Sequence, residues 1–147
     1  MKASKLVFTL LSSFLLFACD SKKEEEPIED VIIPTEHDYK EVKQYELTLE
    51  TMFDVGSDSY YCYFYSPSCS HCVELKDFII TQALDRGDIY FIKSSSKDQF
   101  TTDRNLVINA ENPGDIWILG YPTMLKIDEK KVSKNLVGND EIIQELK

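Results

Sequence analysis

An α/β domain with a mixed central sheet of four to five strands, flanked by helices, is what the 147-residue sequence predicts. Three observations carry this. Apolar and aromatic runs of strand length alternate with segments of helical period, in the order β-α-β-α-β-(α)-β-β-α. The run Asp58 to Tyr65 is almost continuously apolar, as in a strand buried on both faces. Late in the chain, Asp128-Glu129-Lys130-Lys131 joins two strands as a hairpin. A hairpin makes antiparallel neighbours, whereas a βαβ unit makes parallel ones, so the sheet must be mixed.

Taken in order, Val42, Tyr45 and Leu47 fit a short strand within Tyr39–Thr48. Thr48 can then cap a short helix, Leu49 to Val55, closed by Gly56. Pro67 ends the aromatic strand. Ser68 is the expected N-cap of a helix from Cys69 to Leu84, with Val73, Leu75, Lys76, Phe78, Ile79, Ile80, Ala83 and Leu84 on a broad apolar face and Gly87 as the stop. Ile89 to Ser94 is the next strand. Residues 95–114 are polar. Lys97 to Val107 reads as a helix, Asn112-Pro113-Gly114 as a turn, and the region as surface decoration or else as a wall that shapes a binding groove. Asp115 to Leu119 is a short amphipathic turn, followed by strands Thr123 to Ile127 and Val132 to Val137. A last helix starts at Gly138-Asn139-Asp140 and turns Ile142, Ile143 and Leu146 inward.

Composition narrows the partners. The net charge is −10, and phosphate binding needs a basic face, so nucleic acid is excluded as an expected partner. Residues 1–18 read as a signal peptide: Lys2 and Lys5 form a basic start, and Leu6 to Phe17 is an apolar stretch too short for a comfortable membrane span. Leu16-Phe17-Ala18-Cys19 resembles a bacterial lipobox, which implies lipidation of Cys19 after cleavage. Residues 19–38 then read as a flexible acidic tether and 39–147 as the globular domain. Loss of Lys2 and Lys5 takes the net charge to −12. Acyl chains, not attraction to anionic lipid, would hold the protein on the outer face of the cytoplasmic membrane.

The chemistry is expected at Cys69-Ser70-His71-Cys72. Two cysteines spaced C-x-x-C at a helix start can close a small disulfide ring. The first has its sulfur near the unpaired amides of the helix N-terminus, whose partial positive charge favours a thiolate. A thiolate attacks a substrate disulfide, and the second cysteine resolves the mixed disulfide. Cys69 is thus the expected nucleophile and Cys72 the resolving thiol. A histidine side chain titrates near neutrality, so His71 can further favour the Cys69 thiolate. Three other readings stand beside this one. The pair can be half of a zinc site, with Cys62, His37 and His71 as the remaining ligands. It can be a permanent structural disulfide, or an unused motif on a binding module. Cys62, mid-strand, reads as a small buried hydrophobe or else a third redox thiol.

Tyr63-Phe64-Tyr65-Ser66-Pro67-Ser68-Cys69-Ser70-His71-Cys72 resembles the strand–turn–helix of the thioredoxin superfamily, and Gly120-Tyr121-Pro122-Thr123 resembles its cis-proline loop. The resemblance spans residues 40–147. It implies a thioredoxin-like fold, a cis Tyr121–Pro122 bond facing the cysteines, and a Tyr121 backbone that pairs with an extended substrate peptide. The chain departs from thioredoxin at several positions. Ser68 replaces a tryptophan, and Ser70-His71 replaces Gly-Pro, nearer to the C-P-H-C of many extracytoplasmic relatives. Thioredoxins also carry a buried aspartate six residues before the first cysteine, where it helps deprotonate the resolving thiol. That position here is Tyr63, so the route for the proton must differ. Lys93, where thioredoxins keep a lysine, reads as an ordinary strand-end side chain. Cys72 and Pro122 are fifty positions apart, too few for an inserted helical domain.

The expected protein is therefore a membrane-anchored extracytoplasmic thiol–disulfide oxidoreductase. Its partners would be protein thiols or disulfides and a second redox protein that resets the pair. No metal, nucleotide or haem is required. The rival is a thioredoxin-fold lipoprotein that binds without catalysis.

Overall fold

The structure is a computed structural model and describes residues 36–147. The expected signal peptide, Cys19 and most of the expected tether lie outside the described residues. His37 and Asp38 belong to the domain, not to the tether. The His37 amide donates to Asp77 Oδ1 (3.0 Å), its ring meets Thr81 Oγ1 (3.2 Å), and Asp38 caps the following turn through the Lys40 amide (2.8 Å).

Seven strands and two α-helices follow: β1 (Glu46–Leu47), β2 (Ser59–Tyr65), α1 (Ser70–Arg86), β3 (Ile89–Lys93), β4 (Gln99–Phe100), β5 (Trp117–Ile118), β6 (Thr123–Asp128), β7 (Lys131–Val137) and α2 (Asn139–Leu146). Five strands form the main sheet in the order β1-β3-β2-β6-β7. β1, β3 and β2 run parallel; β6 and β7 are antiparallel to their neighbours. β2 is thus central, bonded to β3 on one side and β6 on the other, which is why almost all its residues are apolar.

The period of two sorts the β2 side chains between two cores. Tyr61, Tyr63 and Tyr65 face α1 and α2 and pack with Leu75, Ile79, Ile80, Ala83, Phe91, Ile142 and Leu146. Tyr60, Cys62 and Phe64 face the other side, with Ile92, Leu125, Ile127 and Val132. Both α-helices cover the same face. The opposite face is closed mostly by irregular chain, notably Met52 and Phe53 and then Val107, Ala110 and Ile116, with Ile118 of β5.

Several expectations are corrected. Tyr39–Tyr45 is a 3-10 helix, not a strand, because an Asp38–Glu41 capping box starts it and Val42 alone is buried. Only Leu49–Thr51 of the expected second helix forms, again as a 3-10 turn. Lys97–Val107 is not a helix. Asp98, Asp103 and Thr101 accept from amides two or three residues away and bind the backbone into turns. The region is not decoration, since its apolar residues form much of the second core. Residues 115–119 contain β5, which pairs in parallel with β4 as a small second sheet. On α1, Val73 (57% exposed) and Leu84 (42%) face outward. The helix ends as expected at Gly87 in the left-handed region (φ 73°), whose amide donates to the Ala83 carbonyl at 2.9 Å.

Candidate active site: a cysteine pair facing a cis-proline loop

β2 delivers the chain to the edge of the sheet, and Ser66-Pro67-Ser68 turns it into α1. The Cys69 amide closes that turn on the Ser66 carbonyl (3.1 Å), and the Val73 amide makes the first helical bond to the Cys69 carbonyl (3.1 Å). Cys69, not Ser68, is therefore the N-cap, with extended backbone and no side-chain cap bond. Ser68 Oγ instead meets Ser66 Oγ at 3.1 Å. The capping position sets the Cys69 side chain at the positive end of a seventeen-residue helix.

Cys69 and Cys72 are free thiols with different surroundings. Cys69 is partly exposed, and its thiol donates to the Tyr121 carbonyl at 3.3 Å. Cys72 is 1% exposed, one helical turn inward. Burial pushes its thiol up to about 12, opposed by the Ser66 amide, which favours the thiolate. The outer sulfur belongs to the more exposed residue, and the inner one is held neutral.

The facing loop is Gly120–Thr123. The Tyr121–Pro122 bond is cis. Gly120 has φ 150°, a conformation that L side chains rarely adopt, and Thr123 Oγ1 donates to its carbonyl at 2.7 Å. Tyr121 is held from outside the loop. Its hydroxyl donates to Asp98, and its ring meets Phe100 edge-on with centroids 5.7 Å apart. Asp98 also accepts from the Ser95 amide and hydroxyl (3.0 and 2.9 Å). The turn after β3 and strand β4 therefore buttress the loop that meets Cys69.

Of the other residues singled out in the sequence, His71 does not join the two sulfurs. Its side chain is 69% exposed, and Nδ1 lies 3.4 Å from Glu74 Oε2. Cys62 is fully buried in the opposite core, its thiol pushed up by burial alone, so a sheet separates it from Cys69 and Cys72. His37 pairs with Glu41 and Thr81. Among the described residues no cluster of three or more His, Cys, Asp or Glu side chains is placed to hold a metal. Lys93 is exposed at the end of β3. Asp98 and Phe100 were missed by the sequence reading. A loop aspartate and a strand phenylalanine carry no signal until folding sets them beside Tyr121.

A parallel β1-β3-β2 half joined to an antiparallel β6-β7 half, with C-x-x-C at the start of α1 opposite a cis-proline before β6, fixes the architecture. The fold is thioredoxin-like. No protein-family model matches the chain, and no curated protein matches it. Solved structures similar to it include mitochondrial thioredoxin 3 from Saccharomyces cerevisiae in its oxidized form, at 15% identity, 68% of this chain, 88% of that one and TM-score 0.44. Thioredoxin f2 from Chlamydomonas reinhardtii gives 15%, 69%, 91% and 0.45. The long form of thioredoxin f from spinach chloroplast gives 17%, 69%, 81% and 0.44. These values add no weight to the fold, which stands on strand order, register and the loop geometry above.

Proposed function

We propose that this protein is a thiol–disulfide oxidoreductase, exported and lipid-anchored through Cys19, that exchanges disulfides with protein thiols or disulfides. One observation carries the chemistry: an accessible Cys69 sulfur at a helix N-cap, beside the Tyr121–Pro122 loop, with Cys72 buried one turn behind it. In the reductive sense, the Cys69 thiolate attacks one sulfur of a substrate disulfide, and the other departs as a thiolate and takes up a proton. Cys72 then attacks the Cys69 sulfur of the mixed disulfide. The Cys72–Cys69 bond forms, the Cys69–substrate bond breaks, and the second substrate sulfur leaves. The chain is oxidised by two electrons and the substrate is reduced. Run backwards, the same steps oxidise a dithiol. Tyr121 and Pro122 would align an extended substrate strand across the site. His71, paired with Glu74 in solvent, has at most a minor electrostatic part.

Direction is set by the reduction potential against the protein that resets the pair, where 30 mV corresponds to roughly 1.4 kcal/mol for this couple. Trapping tests the exchange itself. A Cys72→Ser chain should accumulate substrates on Cys69 as mixed disulfides visible on a non-reducing gel, and Cys69→Ser should abolish them. A clean gel, with neither insulin reduction nor oxidation of a model dithiol by the wild type, would leave the fold as a binding module. Export and anchoring are tested separately. Labelled palmitate should enter the full chain but not Cys19→Ala, and its absence from both would end the lipoprotein reading.

A further inference from the structure

The core beneath the cysteine pair contains two hydroxyls in an unusual position. Tyr63 is fully buried on β2, on the face that packs against α1. Tyr39 packs against the same core from the N-terminal 3-10 turn (Tyr39–Tyr45), its ring stacked on Tyr65 with centroids 4.1 Å apart. Tyr63 in turn stacks on Tyr65 (5.9 Å) and meets Phe91 edge-on (5.7 Å), so its ring is locked. Both hydroxyl oxygens are buried, and neither closes a hydrogen bond among the described residues. An unpaired buried hydroxyl costs free energy, so native proteins rarely keep one without a use. These two lie where they bear directly on Cys72. Tyr63 and Cys72 belong to one buried cluster, and Tyr39 packs against it.

Resting on the exchange reading above, we propose that Tyr63 is a catalytic residue that donates a hydrogen bond to the Cys72 sulfur when it becomes a thiolate, with Tyr39 positioning it. In resolution, Cys72 must give up its proton before it attacks Cys69, and that proton ends on the departing substrate thiolate. In the opposite direction, an incoming thiolate attacks Cys69 and Cys72 leaves as the thiolate. Either way the negative charge develops on a sulfur buried in an apolar core, where a fixed donor has its greatest effect. A phenol donates a stronger hydrogen bond to a thiolate than to a thiol, so the interaction grows as the charge forms, which is the condition for lowering a barrier. Tyr63 and Tyr39 do not act as bases. Burial raises both phenols well above the ordinary tyrosine value, so each keeps its proton and can only donate. The titratable groups facing Cys72 are Cys69 on its own helix start, Tyr63 from β2, Tyr39 from the N-terminal turn and Tyr121 from the proline loop. The sequence reading left the position of Tyr63 without a proton acceptor; the structure puts a donor there.

The test is single-turnover kinetics of the full chain with glutathione disulfide, following the Cys69–glutathione mixed disulfide by acid quench and mass spectrometry. In Tyr63→Phe, formation on Cys69 should keep its wild-type rate and resolution by Cys72 should slow about tenfold or more, the size expected for a hydrogen bond to a charged group. Its pH–rate curve for resolution should move upward by about one unit, since a tenfold loss of thiolate is one pH unit. The thermal midpoint should hold or rise, because the variant deletes an unpaired buried hydroxyl and keeps the ring. Tyr39→Phe should slow resolution less, and the double variant should be no slower than Tyr63→Phe alone. Equal resolution rates and pH curves in wild type and Tyr63→Phe would overturn the role. If Tyr63→Phe does not fold, Tyr39→Phe decides, and an unchanged resolution rate there overturns it. Failure of the wild type to form any mixed disulfide would instead overturn the exchange reading.

Discussion

At the scale of single residues, the two thiols of the site divide by depth. Cys69 is open to a partner, while Cys72 is buried and carries its proton well above neutral pH. If the pair exchanges disulfides as proposed, that division puts first contact on Cys69, so Cys72→Ser should trap and Cys69→Ser should not. His71 illustrates the opposite case. Its placement inside the motif is plain in the sequence, but the helix rotates its ring toward Glu74 and solvent, where so exposed a polar contact contributes little. His71→Gln should therefore change the exchange rate by no more than about fivefold, measured by insulin reduction. Cys62 is decided by register. It lies one position from Tyr61 and Tyr63, and the strand's period of two sends it to the other core.

At the scale of elements, the segment between β3 and β6 departs furthest from its sequence reading. Its polar residues hid two functions. Val107, Ala110, Ile116 and Ile118 close one face of the sheet, and Asp98 with Phe100 braces Tyr121. Ile116→Ala should cost about 2–4 kcal/mol in urea unfolding, as for a buried side chain truncated in a packed core. A decorative loop would lose almost nothing. Asp98→Ala should slow exchange several-fold, because the carboxylate joins the turn after β3 to the Tyr121 hydroxyl and fixes the loop beside Cys69. Substrate turnover compared with the urea midpoint separates that effect from stability. The elements that were legible, β2, α1, β3, β6 and β7, are long or periodic enough for pattern to outweigh accident. The short ones were not: Tyr39–Tyr45 and Lys97–Val107 are shaped by capping and side-chain-to-backbone bonds that leave no period.

At the scale of the whole molecule, stability should depend on pH through the buried thiols. Cys62 and Cys72 both have folded values raised above the ordinary thiol value of 9.0, because burial disfavours the thiolate. A raised value means that the unfolded chain loses its thiol protons first. The contribution is intact below about pH 9 and is lost as pH rises from there through about 12. Each such thiol removes roughly 1.4 kcal/mol per pH unit in that window. The urea midpoint of the reduced chain should thus be flat from pH 7 to 8.5 and fall steeply by pH 10.5. Cys62→Ala should flatten the fall, and an unchanged slope would remove Cys62 from the account.

By itself the sequence determined the mixed sheet, the central β2 strand and the cysteine pair at the start of α1, each through a local signal: an apolar period, a spacing or a turn. The loop that the pair would face was implied only by the resemblance to the thioredoxin superfamily. Only the tertiary structure decided which thiol is exposed, where His71 points, that Asp98 and Phe100 hold Tyr121, and that Tyr63 and Tyr39 pack into one core with Cys72 while their hydroxyls stay unpaired among the described residues. Those facts depend on residues brought together from separate elements of the chain or on the rotation of a helix, and neither distance nor direction in space is written in a local pattern.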